Sequence, residues 1–212
     1  MNRLESLSGE IVRLTVEHIT IVAIAVGVAI IIGIPLGIYC SRDNRIGRLL
    51  LRAIDAIQTV PSLAMFGFLI PIPLIGGIGT KTAIVALVLY SLLPIVRNTV
   101  VGIREVDRDV REAAVAMGMS PGQVLREVEI PLAMPTIIGG VRLALVIGIG
   151  VATIAAAIGG GGLGDFIFRG LAMVDSTLLL AGALPAALLA LLTDLGLSRI
   201  ERSIERRRGE KE

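Results

Sequence analysis

Apolar runs and charged islands alternate along this chain, and the runs are long enough to cross a bilayer. A spanning helix needs about 20 mostly apolar residues at roughly 1.5 Å rise each. Runs near 19–39, 53–71, 82–96, 137–158 and 177–197 fit that description and predict five membrane helices in one domain, 1–212. The first is uncharged from Ile19 to Tyr39 and closes on Gly33-Ile34-Pro35-Leu36-Gly37, a small-residue pair suited to close helix packing. The fourth carries Gly140, Ala144, Gly148, Ala152 and Ala156 at four-residue intervals, and the fifth Gly182, Ala186 and Ala190, then Asp194. Such stripes let backbones approach, either inside the bundle or against a second membrane subunit.

The second run differs. Asp55, Gln58, Thr59 and Ser62 fall on one helical face, and Pro61 interrupts the hydrogen-bond ladder behind them. Polar groups at membrane depth are costly and face protein or a wet cavity. Two readings stay open: the face lines a passage, or it makes interhelical hydrogen bonds with Asp55 near the membrane surface.

The island from Arg104 to Pro131 separates the third and fourth runs and predicts two short helices with a sharp break. Asp107 suits an N-cap for the first, whose apolar positions Val110, Ala114 and Met117 recur at helical spacing. Gly118 sits where a helix end needs positive φ. Ser120 caps the second helix, Pro121 takes its first position, Gln123 completes a capping box, and Pro131 is expected to close it. A capped helix-break-helix between spans suits a docking element.

Charge placement orients the chain. Segments 41–48, 97–131 and 199–212 hold three, five and six Lys or Arg, fourteen in all, against four (Arg3, Arg13, Lys81 and Arg169) on the opposite side. The positive-inside bias puts the N-terminus outside, and the 104–131 island and the 199–212 tail in the cytoplasm. The residues before Ile19 show neither a short apolar core nor a small-residue cleavage site, so the first span is expected to be retained.

Composition excludes several classes. Hydrophobic residues at 54%, charged ones at 18% and a mean hydropathy of +0.86 fall outside an average soluble domain. The net charge of +2 is too small to imply a polyanionic partner. A single Cys, Cys40, excludes an internal disulfide, and one His, His18, leaves little for metal or acid–base chemistry. Gly159-x-Gly161-x-x-Gly164 matches a dinucleotide fingerprint as a string but follows a membrane run instead of a strand. Gly79-Thr80-Lys81-Thr82 lacks the order of a phosphate loop. Gly162-Leu163-Gly164-Asp165 has no second Asp to share a proton, as an intramembrane aspartyl protease would need.

Glu112-Ala113-Ala114, Gly118 six residues after the Glu, and Val128-x-Ile130-Pro131 together resemble the EAA loop of ABC importer permeases. Val128 stands where the pattern has Ile, and Ile130 where it has Leu. The resemblance implies an all-α type I importer permease of five transmembrane helices. It also implies a cytoplasmic helix-turn-helix coupling loop, 104–131, fitting a cleft on an ATPase subunit. The coupling residues it implies are Glu112, Ala113, Ala114, Met117, Gly118 and Met119.

Glu17-His18, Ile57 to Ser62, Leu93 to Thr99 and Leu180 to Leu188 resemble the osmoprotectant permeases, a likeness spanning about Glu17 to Arg206. This implies a non-catalytic subunit forming the path for glycine betaine, carnitine, choline or a similar quaternary ammonium solute. The implied partners are ABC ATPase subunits, a second identical or homologous permease and an extracytoplasmic binding protein, in the bacterial cytoplasmic membrane. ATP and Mg would sit on the ATPase, with no cofactor on this chain. Asp55, Gln58, Thr59 and Ser62 would then face the path. The Gly159–Asp165 stretch is also similar to methionine importer permeases, which gives one alternative. A non-transporting membrane scaffold that uses the loop only for docking is another.

With no phosphate loop, the purified subunit alone is expected neither to bind nor to hydrolyse ATP. Equilibrium binding of a labelled nucleotide to the chain free of any ATPase checks this, and measurable binding would contradict it.

Overall fold

A computed structural model describes residues 3–42, 44–73 and 75–209, among which the regular structure is helical, with no strand. The helices are α1 (Arg3–Ser41), α2 (Arg45–Thr59), α3 (Ser62–Leu69), α4 (Thr80–Arg104) and α5 (Arg108–Ala116). They continue with α6 (Pro121–Ile158), α7 (Gly164–Met173) and α8 (Ser176–Gly209). Four of these, α1, α4, α6 and α8, are long and apolar enough to cross a membrane. The pair α2–α3, bent by 104° at Val60-Pro61, has together the length and apolar character of one more, broken span.

The centre of the bundle is α4, which α1 and α6 flank. Lipid is as apolar as leucine, so helices associate by close packing and hydrogen bonding, not by hydrophobic burial. The sequence meets this demand with missing side chains. A Cβ on Gly37 would stand 2.5 Å from that of Thr99, and one on Gly33 3.0 Å from Ile95 Cγ2, so α1 lies almost backbone to backbone on α4. From the other side, a Cβ on Gly140 would come within 2.6 Å of Asn98 Cβ and 2.7 Å of the Pro94 carbonyl oxygen. The fourth-span stripe continues with Ala144 and Ala152 in the core and Gly148 facing Val22 and Val26 of α1. In the fifth span, Gly182 packs onto Leu163 and Phe166 beside α7. Both stripes are therefore used inside the bundle.

At the end opposite the 104–131 island, the glycine-rich turn folds over α1. Gly159, Gly161 and Gly162 have φ of +71°, +81° and +76°. A Cβ on Gly161 would meet a Glu17 carboxylate oxygen at 2.3 Å, and one on Gly162 the His18 Nδ1 at 2.9 Å. His18 is fully buried, with Nε2 3.2 Å from the Ile149 carbonyl oxygen. The fingerprint-like glycines thus serve a tight turn.

Several boundaries differ from the sequence reading. The first helix starts at Arg3, not near Ile19, and the third runs Thr80–Arg104, beyond 82–96. The tail expected from 199 is a continuation of α8 to Gly209, with 210–212 outside the described residues. An apolar run gauges the hydrocarbon thickness, and a helix can project past it with polar residues.

Pro131 does not close the second island helix. Residues Pro121–Gln123, a π-helical stretch Val124–Glu129 and Ile130–Ala155 form one continuous helix. A proline ring clashes with the carbonyl four residues back in an α-helix. The wide turn immediately before Pro131 relieves that clash, so the helix runs on.

Gly140→Val should force α4 and α6 apart and cost about 1–3 kcal/mol, as overpacking does. Gly150, on the same helix with open space around its Cβ position, should accept Ala without loss. Thermal unfolding of the two detergent-solubilised variants checks the contrast; equal midpoints would remove the close approach as a determinant of stability.

Candidate functional site

The island folds largely as its signals indicate. The Asp107 carboxylate accepts from the Asp109 N–H at 2.8 Å and caps α5. Gly118 has φ +87°, with nothing near its Cβ position. The Ser120 N–H donates to Gln123 Oε1 at 2.8 Å, within the capping box that starts α6. The break between α5 and α6 is a built turn with defined hydrogen bonds.

Around it, Glu112, Ala113, Met117 and Gly118 are exposed and Met119 is half-buried, while Ala114 is buried at 2%. Of the helically spaced apolar positions, only Ala114 faces inward. Val110, Val115 and Met117, 77% exposed, present apolar surface outward. Such exposed apolar groups next to a charged helix suit a partner surface better than water. Glu112 pairs with Arg108 of its own helix at 2.6 Å.

Behind α5 lies a cluster the sequence reading did not single out. Glu129, at the end of the π turn, is 2% exposed. Arg42 donates to it through both terminal nitrogens, at 3.2 and 2.7 Å. Arg111 of α5 approaches the same carboxylate at 3.4 Å, and its Nη2 also donates to the Ile103 carbonyl. Arg104 closes the end of α1 by donating to the Cys40 and Ser41 carbonyls at 3.2 and 3.1 Å. Arg42 and Arg111 had registered in the sequence only as positive charge.

On the broken span, the four polar residues separate in role. Asp55 and Arg97 of α4 form a bidentate pair at 3.0 and 2.9 Å, open to the outside of the chain. Gln58 Nε2 donates to the Tyr90 carbonyl at 2.8 Å. That carbonyl lies four residues before Pro94, which has no N–H to offer it. Thr59 is exposed and donates to the Ala56 carbonyl of its own helix, and Ser62 opens α3 half-buried. Gln58 and Asp55 therefore both tie α2 to α4, Gln58 by a half-buried bond and Asp55 by an exposed ion pair, while Thr59 stays exposed.

A second polar region lies between α4, α6 and α8. A cavity of about 340 Å³ is lined by Asn98, Thr136, Arg142, Asp194 and Glu201 among others. The Arg142 guanidinium stands 3.8 Å from Asp194 and 3.6 Å from Glu201. The charge of Arg142 inside the fourth run was the signal for it. At the far end, Glu10 binds Arg169 at 3.0 Å, while burial first and then Glu17 push the Asp165 carboxyl up.

Comparison with known proteins agrees with this architecture. The carnitine transport permease protein OpuCD of Listeria monocytogenes is 47% identical over 189 residues, covering 89% of this chain and 83% of that protein. The osmoprotectant import permease protein OsmW of Salmonella typhimurium is 47% identical over 196 residues, covering 92% and 91%. The choline transport system permease protein OpuBB of Bacillus subtilis is 42% identical over 201 residues, covering 95% and 91%. In shape, the chain matches one from the inward-facing MetNI methionine ABC transporter with a TM-score of 0.86 at 22% identity, covering 96% and 99%. Residues 20–208 match a single family description, and the chain belongs to that family, the inner membrane components of binding-protein-dependent transport systems.

Proposed function

We propose that this chain forms the translocation path of an ATP-driven importer for a quaternary ammonium osmoprotectant such as glycine betaine, carnitine or choline. The observation that carries the importer reading is the presentation of α5. A short capped helix offers Glu112, Ala113, Met117 and Gly118 outward, on a turn fixed by a left-handed glycine. That arrangement suits insertion into a cleft on an ATPase subunit, which would hold the ATP and Mg. The substrate class follows the relatives, whose names specify carnitine, choline and osmoprotectants at 41–47% identity. The likeness to the methionine transporter rests on shape at 22% identity.

The remaining partners follow from the same reading: a second permease, identical or homologous, and an external binding protein. Quaternary ammonium groups are held by aromatic faces through cation–π attraction. Here Phe66, Phe166 and Tyr90 are buried in the bundle, which leaves Tyr39, Phe68 and Phe168 exposed on three different helices. This supports assigning high-affinity capture to the binding protein. The excess of fourteen basic residues over four supports an N-terminus outside, with α5 and the end of α8 in the cytoplasm. Asp55, Thr59 and Ser62 are assigned to the path wall, with Arg97 as the counter-ion of Asp55.

Two experiments test this reading. Gly118→Val meets no steric obstacle, so its cost is the roughly 1–2 kcal/mol of left-handed strain, relieved by re-aiming the turn. The reconstituted importer should then insert normally but lose the link between hydrolysis and uptake, or release its ATPase. Full uptake with full substrate-stimulated hydrolysis would remove α5 from coupling, and a scaffold role would predict that result.

Asp55→Leu breaks an exposed pair worth about 0–1 kcal/mol to stability, so the protein should still assemble. Uptake by proteoliposomes should fall. Unchanged uptake would assign Asp55 to structure alone.

A further inference from the structure

The attachment of α5 to the spanning helices is mostly ionic. Its one buried side chain is Ala114, too small to hold a helix against load. The stronger tie is Arg111, which reaches both the Ile103 carbonyl near the end of α4 and the Glu129 carboxylate. Glu129 is gripped from the other side by Arg42, in the segment following α1. These partners lie far apart in sequence: 87 residues separate Arg42 from Glu129.

Three features distinguish this cluster from an ordinary surface pair. The Glu129 side chain is 3% exposed, and a carboxylate removed from water is costly unless opposite charge and hydrogen bonds replace the water. Both oxygens accept from Arg42, at 3.2 and 2.7 Å, and Arg111 Nε stands 3.4 Å from Oε1 as an ion pair without hydrogen-bond geometry. The residue also closes the π turn, where the wide spacing takes the helix out of α-helical step just before Pro131. A displacement of α5 must therefore carry the Arg111 charge with it, expose the carboxylate, or drag α6 and the end of α1 along.

We propose that Glu129 is a positioning residue for energy coupling: a buried charge clamp through which movement of α5 reaches α6 and, by Arg42, α1. The proposal rests on the reading of α5 as the ATPase-docking element. Glu129 and Arg42 transmit the movement without touching the ATPase or the solute.

The test uses the complete importer in proteoliposomes, with its ATPase and binding protein, and reads solute taken up per ATP hydrolysed in the same vesicles. Glu129→Gln keeps the shape of the side chain and removes its charge. Arg42→Gln and Arg111→Gln remove the two arms singly, and each leaves the other arginine within ion-pair distance of Glu129. Each variant should retain its ATPase and continue to hydrolyse ATP, while solute per ATP falls roughly tenfold, the scale of one lost charged hydrogen bond. Adding Arg42→Gln to Glu129→Gln should lower the ratio no further, because the two act through one contact. A purely structural role would lower uptake and hydrolysis together and leave the ratio unchanged, which overturns the proposal. If Glu129→Gln fails to assemble, the two arginine variants decide the matter by the same ratio. A normal ratio in these variants beside an uncoupled Gly118→Val complex sinks the clamp alone; a normal ratio in all of them sinks the docking reading as well.

Discussion

The near-contact of backbones around α4 is the constraint on which this structure depends. Membrane helices gain little by hiding apolar side chains from lipid, so their separation is set by what can be left out between them. Gly33 and Gly37 on α1 and Gly140 on α6 leave out enough for both helices to touch α4, and Gly102 on α4 faces Ala133 and Thr136 of α6 in the same way. With α4 fixed, its side chains reach the other elements. Arg97 meets Asp55, the Tyr90 hydroxyl donates to the Val60 carbonyl, and Arg104 closes the end of α1.

Much of this was legible along the chain because it is local or periodic. Apolar runs of bilayer length announce spans, and Gly118, Ser120 and Gln123 announce a turn through backbone and capping rules that need no tertiary context. The Gly33–Gly37 pair announced a close approach, and Ile95 and Thr99 on α4 fill the other side of it. The small-residue stripes were legible as stripes but not as to what they face; packing within the bundle settled that.

What escaped the sequence is long-range or depends on a backbone adjustment. Arg42 looks like one more basic residue in a charged connection, and Glu129 like a variable position beside Pro131. Only the fold brings them to 2.7 Å. Pro131 looked like a stop because proline usually is one, and a π-helical stretch has no marker as plain as a capping residue. Asp55 and Gln58 share a face, yet one meets an exposed guanidinium of α4 and the other a half-buried carbonyl of the same helix.

The Gln58 bond to that carbonyl has a consequence for how the broken span can vary. Pro94 deprives the Tyr90 carbonyl of its usual donor, Gln58 supplies one, and the Tyr90 hydroxyl returns a bond to Val60 at the edge of the kink made by Pro61. Two prolines on different helices are thereby linked through one tyrosine and one glutamine. Replacing Pro94 with a residue that restores the α4 ladder would give the Tyr90 carbonyl a second donor beside the Gln58 amide. Replacing Gln58 would strand that carbonyl in an apolar setting. Loss of Gln58 is therefore expected to be tolerated best where Pro94 has gone as well, which couples the bend in one helix to a side chain on another.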